Sequence, residues 1–256
     1  MKTNQTYLNL AVKAAKKSAA IFKKNFGHPG RIKTKGNDPM NLVTEIDLKI
    51  ETAIRKEILK IFPEAKIIGE EFGSSEICAD DVVWIIDPID GTTNFIHGIP
   101  ICCITIGIWD KKGPLAGVVY NPIINQMYTA LRGQGAFLNG HKIKPSDVKK
   151  VNLSTGTIGW HSVDKGIHIF SKISKKTRKV RVLASSAWQV CLVAAGQMDF
   201  YATAGVNIWD VAGPLAVLQE AGGKFTDLAG KPVNIALKNL VATNSAIHTE
   251  LLSTIK

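Results

Sequence analysis

Residues 84–95 read WIIDPIDGTTNF. A short apolar run, Val82 to Ile86, ends directly in Asp87, and Asp90 follows across Pro88. Two carboxylates at the C-terminal end of a strand, joined by a Pro-containing turn, can converge on one point. Carboxylate oxygens are the hard ligands that Mg²⁺ takes. Gly91, Thr92 and Thr93 then supply backbone N–H groups and hydroxyls at an expected helix start, where a phosphate is readily held. Taken alone, Asp-Pro-x-Asp-Gly is a turn with side-chain caps. The apolar strand before it and Gly-Thr-Thr after it favour a metal-and-phosphate site.

Two other acidic segments fit the same chemistry. Ile67 and Ile68 lead through Gly69 into Glu70 and Glu71, and Trp209 precedes Asp210 at the start of an apolar helix. By themselves these are a solvated charge pair and a helix cap. Beside the central motif they read as further metal ligands. His97 has no histidine at helical spacing and is expected to be structural. Cys102 and Cys103 are vicinal in a strand, so they face opposite sides, which argues against catalysis. Gly133 and Gly135 mark a turn rather than a nucleotide fingerprint, because no helix follows.

Periodicity predicts the elements that must place these groups. Leu8, Val12, Ala15, Ala19, Phe22 and Phe26 recur at spacings of three and four, giving a helix from about Thr6 to Asn25. A loop is expected over 27–41. A second helix runs from near Thr44 to Ile61, with Ile46, Ile50, Ile54, Ile58 and Ile61 on its buried face and a capping-box start at Thr44 and Asp47. Strands follow at 67–68, 82–86, 102–109, 115–120 and 126–131, with hairpin turns at 111–113 and at Asn139-Gly140. The rest alternates: strand 151–158, helix 164–175, strand 179–184, helix 186–196, strand 198–202, helix 208–221, strands 223–226 and 239–243, and helix 244–255. Gly222 and Gly223 close the 208–221 helix.

Composition sets the outer bounds. With 256 residues, 45% hydrophobic and 21% charged, the chain reads as globular. Four cysteines without a C-x-x-C pair point to a reducing, cytoplasmic setting. No apolar run is long enough to span a bilayer, and the N-terminus lacks the apolar core and cleavage site of a secretory signal. The net charge of +11 is uneven: residues 1–37 hold nine basic residues and no acid, and residues 142–181 hold eleven and two. The remainder carries twelve basic and nineteen acidic residues, so carboxylates are gathered in the middle of the chain. The basic stretches match no nucleic-acid-binding module.

These motifs together resemble the inositol monophosphatase family, within the Mg²⁺-dependent, lithium-sensitive phosphatase superfamily. The resemblance rests on Leu42-Val43-Thr44-x-x-Asp47, Gly69-Glu70-Glu71, Asp87 to Phe95, Gly133 to Gly140, Trp209 to Gly213 and Glu220 to Gly223. It implies a layered α/β/α/β/α sandwich, one domain of two closely packed lobes (about 1–140 and 141–256), in a homodimer. It also implies roles. Glu70, Asp87 and the Ile89 carbonyl bind a first Mg²⁺, and Asp87, Asp90 and Asp210 a second. Glu70 helps hold a third. Gly91 and Thr92 contact phosphate, and Asp47 with Thr92 orients the attacking water. Asp90, Asp210, Ser185, Ser186 and Thr203 border the substrate.

Formal charge agrees with two to three ions. Glu70, Asp87, Asp90 and Asp210 carry four negative charges, and a phosphomonoester adds about two. The alcohol side departs from the family pattern. Inositol-hydrolysing members carry a Glu where this chain has Thr203, and Ala184-Ser185-Ser186 replaces their Gly-[Ser/Thr]-Ala-like segment. The expected substrate is therefore inositol monophosphate or a related polyol or sugar phosphate. Fructose-1,6-bisphosphatase, histidinol-phosphatase, 3′-phosphoadenosine nucleotidase and NADP phosphatase activities stand as alternatives. A basic protein binding RNA or the transcription machinery is the alternative of another class.

Overall fold

Alanines and one aromatic make the first helix a flat wall. In α1 (Asn4–Asn25) the buried residues are Leu10, Ala11, Ala14, Ala15, Ser18, Ala19 and Phe22. The helix is where periodicity put it, but its face is rotated. Leu8 and Val12 only flank the core, because small alanines let the backbone lie close. The computed structural model describes residues 3–35, 38–78, 80–159 and 162–255, without the side chains of residues 35 and 38–41. The expected loop over 27–41 instead holds β1 (Ile32–Lys35), paired antiparallel with β2 (Asp38–Thr44). These strands carry lysine, threonine and asparagine with little apolar alternation, so they left no period-two signal.

Helix α2 (Glu45–Ile61) starts with the predicted capping box. The Thr44 hydroxyl accepts from the Ile46 N–H, and the Asp47 carboxylate accepts from the Thr44 N–H. Ile46, Ile50, Ile54 and Ile58 are buried as expected, but Ile61, in the last turn before Pro63, is 41% exposed.

Next come β3 (Lys66–Gly69), β4 (Gly73–Ser74), β5 (Val83–Asp90), α3 (Thr92–Ile96), β6 (Cys103–Asp110), β7 (Gly113–Asn121), β8 (Gln126–Leu131), β9 (Gly135–Leu138) and β10 (His141–Lys142). Their eight strands form one sheet in the order β10-β9-β8-β7-β6-β5-β3-β4, parallel only between β3 and β5. Residues 151–158 are not all strand: a 3-10 turn spans Val151–Leu153 before β11 (Thr155–Ile158). Then follow α4 (Val163–Ser174), β12 (Lys179–Val182), α5 (Ser186–Ala194), β13 (Phe200–Ala204), α6 (Ile208–Ala221), β14 (Lys224–Thr226), β15 (Asn239–Thr243) and α7 (His248–Ile255). The second sheet runs β12-β11-β13-β15-β14. The expected strand at 198–202 lies two residues later, and the last helix begins at His248 rather than 244.

Three apolar cores hold five layers together. One joins α1 and α2 to a face of the large sheet through Trp84, Ile86, Ile104 and Ile106. The central core joins the opposite face to α5, α6 and the inner face of the small sheet. The third joins the outer face of the small sheet to α4 and α7 through Phe200, Ile169, Ile173 and Leu251. The layers are therefore α/β/α/β/α. Among the described residues, no helix is long and apolar enough to cross a membrane.

Candidate active site

The carboxylates Asp87 and Asp90 lie at the end of β5, and a register shift brings them together. Asp87 faces Thr105 across the ladder and Asp90 faces Cys103. Thr105 and Cys103 are two apart and share one side of β6, while Asp87 and Asp90 are three apart on β5. In a regular strand, residues three apart point to opposite faces. One extra residue in β5 cancels that, and Pro88, which cannot donate to a ladder, falls within the irregular stretch.

Asp210 reaches the same point from α6. Its backbone position is set by a capping box, in which its carboxylate accepts from the Asn207 N–H at 2.8 Å. Close packing then brings the helix onto the sheet. A Cβ on Gly107 would come to 2.6 Å from Ala212, and one on Gly213 to 2.3 Å from the Thr105 hydroxyl. Only hydrogen at both positions permits this approach. As a result Asp87, Asp90 and Asp210, all buried, each place an oxygen within 4.8 Å of the others. Burial pushes the Asp87 carboxyl well up. The charges of Glu70, Asp90 and Asp210 add to this, as does a hydrogen bond to Glu70. Glu70 sits in the turn after β3, where its N–H bonds the Ile86 carbonyl at 3.2 Å. All-oxygen donors gathered against their own repulsion fit a hard divalent cation.

Helix α5 holds Asp90 from the other side. One Asp90 oxygen accepts from the Ser186 N–H at 3.0 Å. The other accepts from the Ala187 N–H at 3.0 Å and from the Ser185 hydroxyl. The Cys103 thiol lies 3.7 Å from this second oxygen. Cys102, one residue ahead of β6 rather than within it, packs in the opposite core. The Ser186 hydroxyl pairs with the Tyr201 hydroxyl at 2.7 Å.

Gly91 caps α3 in a left-handed conformation with φ of 86°. A Cβ there would meet the Ile101 carbonyl at 2.9 Å and the Ala184 carbonyl at 3.1 Å. The first N–H groups of α3 have no partner within the helix. The Thr92 hydroxyl donates to the Ile89 carbonyl at 2.9 Å and lies 3.4 Å from Asp47 Oδ1. The second distance is beyond a good hydrogen bond. Asp47 is buried and accepts from the Thr44 hydroxyl at 2.6 Å. Thr203 is fully enclosed in β13, with its hydroxyl beside that of Tyr201. A Cβ on Gly159 would come to 2.2 Å from the Thr203 hydroxyl.

Several contributors were given no part in the site by the sequence reading. Asn94 donates to the Ile101 and Leu183 carbonyls, both at 2.7 Å, and so ties α3 to the segment before α5. Asn207, Cys103 and Tyr201 are likewise ordinary residue types whose partners come from distant segments. The His97 ring lies on the Thr93 carbonyl at 2.8 Å.

Comparison with known proteins agrees with this geometry. The model of the inositol monophosphatase family matches residues 3–256. The chain is 38% identical to inositol monophosphatase 3 of Solanum lycopersicum, covering 94% of this chain and 93% of that one. It is 36% identical to the fructose-1,6-bisphosphatase/inositol-1-monophosphatase of Thermotoga maritima, covering 97% and 95%. A solved Thermotoga maritima IMPase structure superposes with a TM-score of 0.90 at 35% identity, covering 97% of this chain and 96% of that one. With the five-layer fold and the convergent carboxylates, this makes the chain a member of the inositol monophosphatase family, and hence a phosphatase of the phosphoric monoester class.

Proposed function

We propose that the protein is a Mg²⁺-dependent phosphatase, working as a homodimer, that hydrolyses inositol monophosphate or a related polyol or sugar phosphate. One observation carries this reading: Asp87, Asp90 and Asp210 converge within 4.8 Å beside a segment that also offers Gly91 and Thr92. Hydrolysis of such esters calls for accelerations up to ~10²¹. Acid–base help supplies about 10²–10⁴. Charge stabilisation and positioning must supply the rest.

When bound, Mg²⁺ held by Glu70, Asp87, the Ile89 carbonyl, Asp90 and Asp210 would offset charge on the attacking and leaving oxygens. The remaining work belongs to the chain. The Gly91 and Thr92 backbone holds the phosphate oxygens at the start of α3. For turnover the Thr92 hydroxyl would swing its proton from the Ile89 carbonyl to Asp47 Oδ1, as a hydrogen bond, so that a Thr92 lone pair accepts one proton of the attacking water and orients it. Asp90 does not reorganise, because the N-terminus of α5 and Ser185 already fix both its oxygens. In this scheme the metal and phosphate groups come mainly from the first lobe, about 1–140. Asp210 and the Asp90-holding Ser185 and Ser186 come from the second, about 141–256, where Thr203 lies enclosed behind them rather than open to an alcohol.

The enclosed Thr203 bears on the choice of alcohol by what it withholds. A charged hydrogen bond to a ring hydroxyl contributes about 1.5–3 kcal/mol, and a neutral threonine forgoes it. A bisphosphorylated sugar is the second reading. It is favoured by that neutral position and by the Thermotoga relative's name, which includes fructose-1,6-bisphosphatase. Phosphate release should be measured with Mg²⁺ over inositol 1-phosphate, glycerol 2-phosphate, fructose 1,6-bisphosphate, histidinol phosphate, phosphoadenosine phosphate and NADP. The proposal expects release from inositol 1-phosphate with little preference over glycerol 2-phosphate. Release confined to the nucleotides would overturn it.

A further inference from the structure

A second acidic centre lies one layer behind the carboxylate cluster, on α2. Asp47, Glu51 and Arg55 recur at intervals of four and share one face of that helix. Glu51 is fully buried, and both its oxygens are engaged. Oε1 accepts from Arg55 Nε at 2.7 Å, and Oε2 accepts from the Glu71 N–H at 2.8 Å. Arg55 continues the contact: its Nη2 donates to the Gly73 carbonyl at 3.0 Å, and its guanidinium lies 5.6 Å over the ring of Phe72. Phe72 is 52% exposed, so this stacking is what holds it rather than a core.

The fit is closest at Gly69. A Cβ there would stand 1.8 Å from Glu51 Oε1 and 2.7 Å from Arg55 Nη2. The two side chains therefore occupy the space beside Gly69 and also grip Glu71, Phe72 and Gly73. Glu70 is the residue between the gripped positions, and its own N–H is tied to the Ile86 carbonyl, next to Asp87.

We propose that Glu51 and Arg55 are positioning residues that set the Glu70 loop, and through it the affinity of the ion that Glu70 holds. The inference rests on the reading of Glu70 as a metal ligand. A neutral, apolar pair would fill this space equally well. The fully buried carboxylate offers what such a pair lacks: an acceptor for the Glu71 N–H, with Arg55 balancing its charge.

The test uses the full-length protein and Mg²⁺ alone, followed by phosphate release. Calorimetric Mg²⁺ titration and the Mg²⁺ half-saturation of turnover are compared for wild type, Glu51→Ala, Glu51→Gln, Arg55→Met and the buried control Ile50→Val. Groups supporting a metal ligand change affinity by about 10–100-fold. Glu51→Ala should weaken one bound ion by about tenfold or more while leaving another unchanged, with KM for the phosphoester at saturating Mg²⁺ within about twofold. Glu51→Gln, whose amide oxygen still accepts from Glu71, should recover most of the loss. Arg55→Met, on a partly exposed side chain, should show a smaller shift and serves if Glu51→Ala does not fold. Wild-type Mg²⁺ affinity in Glu51→Ala, or in Arg55→Met where Glu51→Ala fails to fold, would overturn the inference. So would an equal shift in Ile50→Val, which would mark the effect as a loss of stability. A wild type that takes up no Mg²⁺ would overturn the metal reading itself.

Discussion

Asp87 and Glu57 are both enclosed carboxylates, and their surroundings push them in opposite directions. Glu57, on α2, lies under Lys13, Lys17 and Lys60 at 3.6, 2.9 and 2.9 Å. Hydrogen bonds from Lys60 and Lys17 bring its pKa down to about 2, which keeps it charged. Asp87 sits among Glu70, Asp90 and Asp210, and burial with those charges pushes it up. The first arrangement satisfies a charge within the fold. The second concentrates charge that the fold does not balance at Asp87, and a bound cation would supply the balance. Glu57 comes with its lysines, and the site acids come with one another.

The largest expected effect breaks the site half of this contrast. Asp90→Asn keeps the shape but removes a charge from the cluster and one of the two oxygens that α5 and Ser185 hold. Turnover at saturating Mg²⁺ should fall more than about a hundredfold while the circular dichroism spectrum stays native. Retention of a tenth of the wild-type rate would remove Asp90 from the site.

A middle-sized effect tests the packing that delivers Asp210. Gly213→Ala must push the Thr105 hydroxyl or α6 aside, since its Cβ would lie 2.3 Å from that oxygen. Overpacking of this kind costs about 1–3 kcal/mol. The thermal midpoint should drop, and Mg²⁺ half-saturation should rise with it. A drop in stability with unchanged Mg²⁺ dependence would show that α6 shifts without carrying Asp210 along.

The smallest effect belongs to the structural acid. Glu57→Gln should leave turnover unchanged and lower the thermal midpoint at neutral pH. The folded-state pKa of Glu57, about 2, lies below its ordinary value of 4.5. Its stabilisation is therefore complete above about 4.5 and fades as pH falls toward 2. The gap between variant and wild type should close over that range in melts recorded against pH. A gap that widens on acidification would reverse the assignment.

Much of this was legible in the sequence because it is local. The capping box at Thr44 and Asp47, the helix over 208–221, the Asn139-Gly140 turn and the acid-rich segments all announce themselves within a few residues. What escaped depends on distant partners. The register shift that aligns Asp87 with Asp90 shows only against Thr105 and Cys103. The hold on Asp90 comes from Ser185, Ser186 and Ala187, nearly a hundred residues away. Glu51 reads as one more charge on a polar helix until the Glu71 N–H is found on it. The β1–β2 pair was missed because its strands lack a regular apolar alternation, and the buried face of α1 because small alanines, not larger residues, line it.

The central claim is that the Asp87, Asp90 and Asp210 cluster holds divalent ions for phosphoester hydrolysis. The most direct test is phosphate release from inositol 1-phosphate by wild-type protein, stripped with a chelator and then titrated with Mg²⁺. The account predicts no release after stripping, saturable recovery with Mg²⁺, and a thermal midpoint that rises over the same concentrations, by about 2.7 kcal/mol of stability at a hundredfold excess over Kd. A rate that survives the chelator unchanged, with a midpoint indifferent to Mg²⁺, would contradict it.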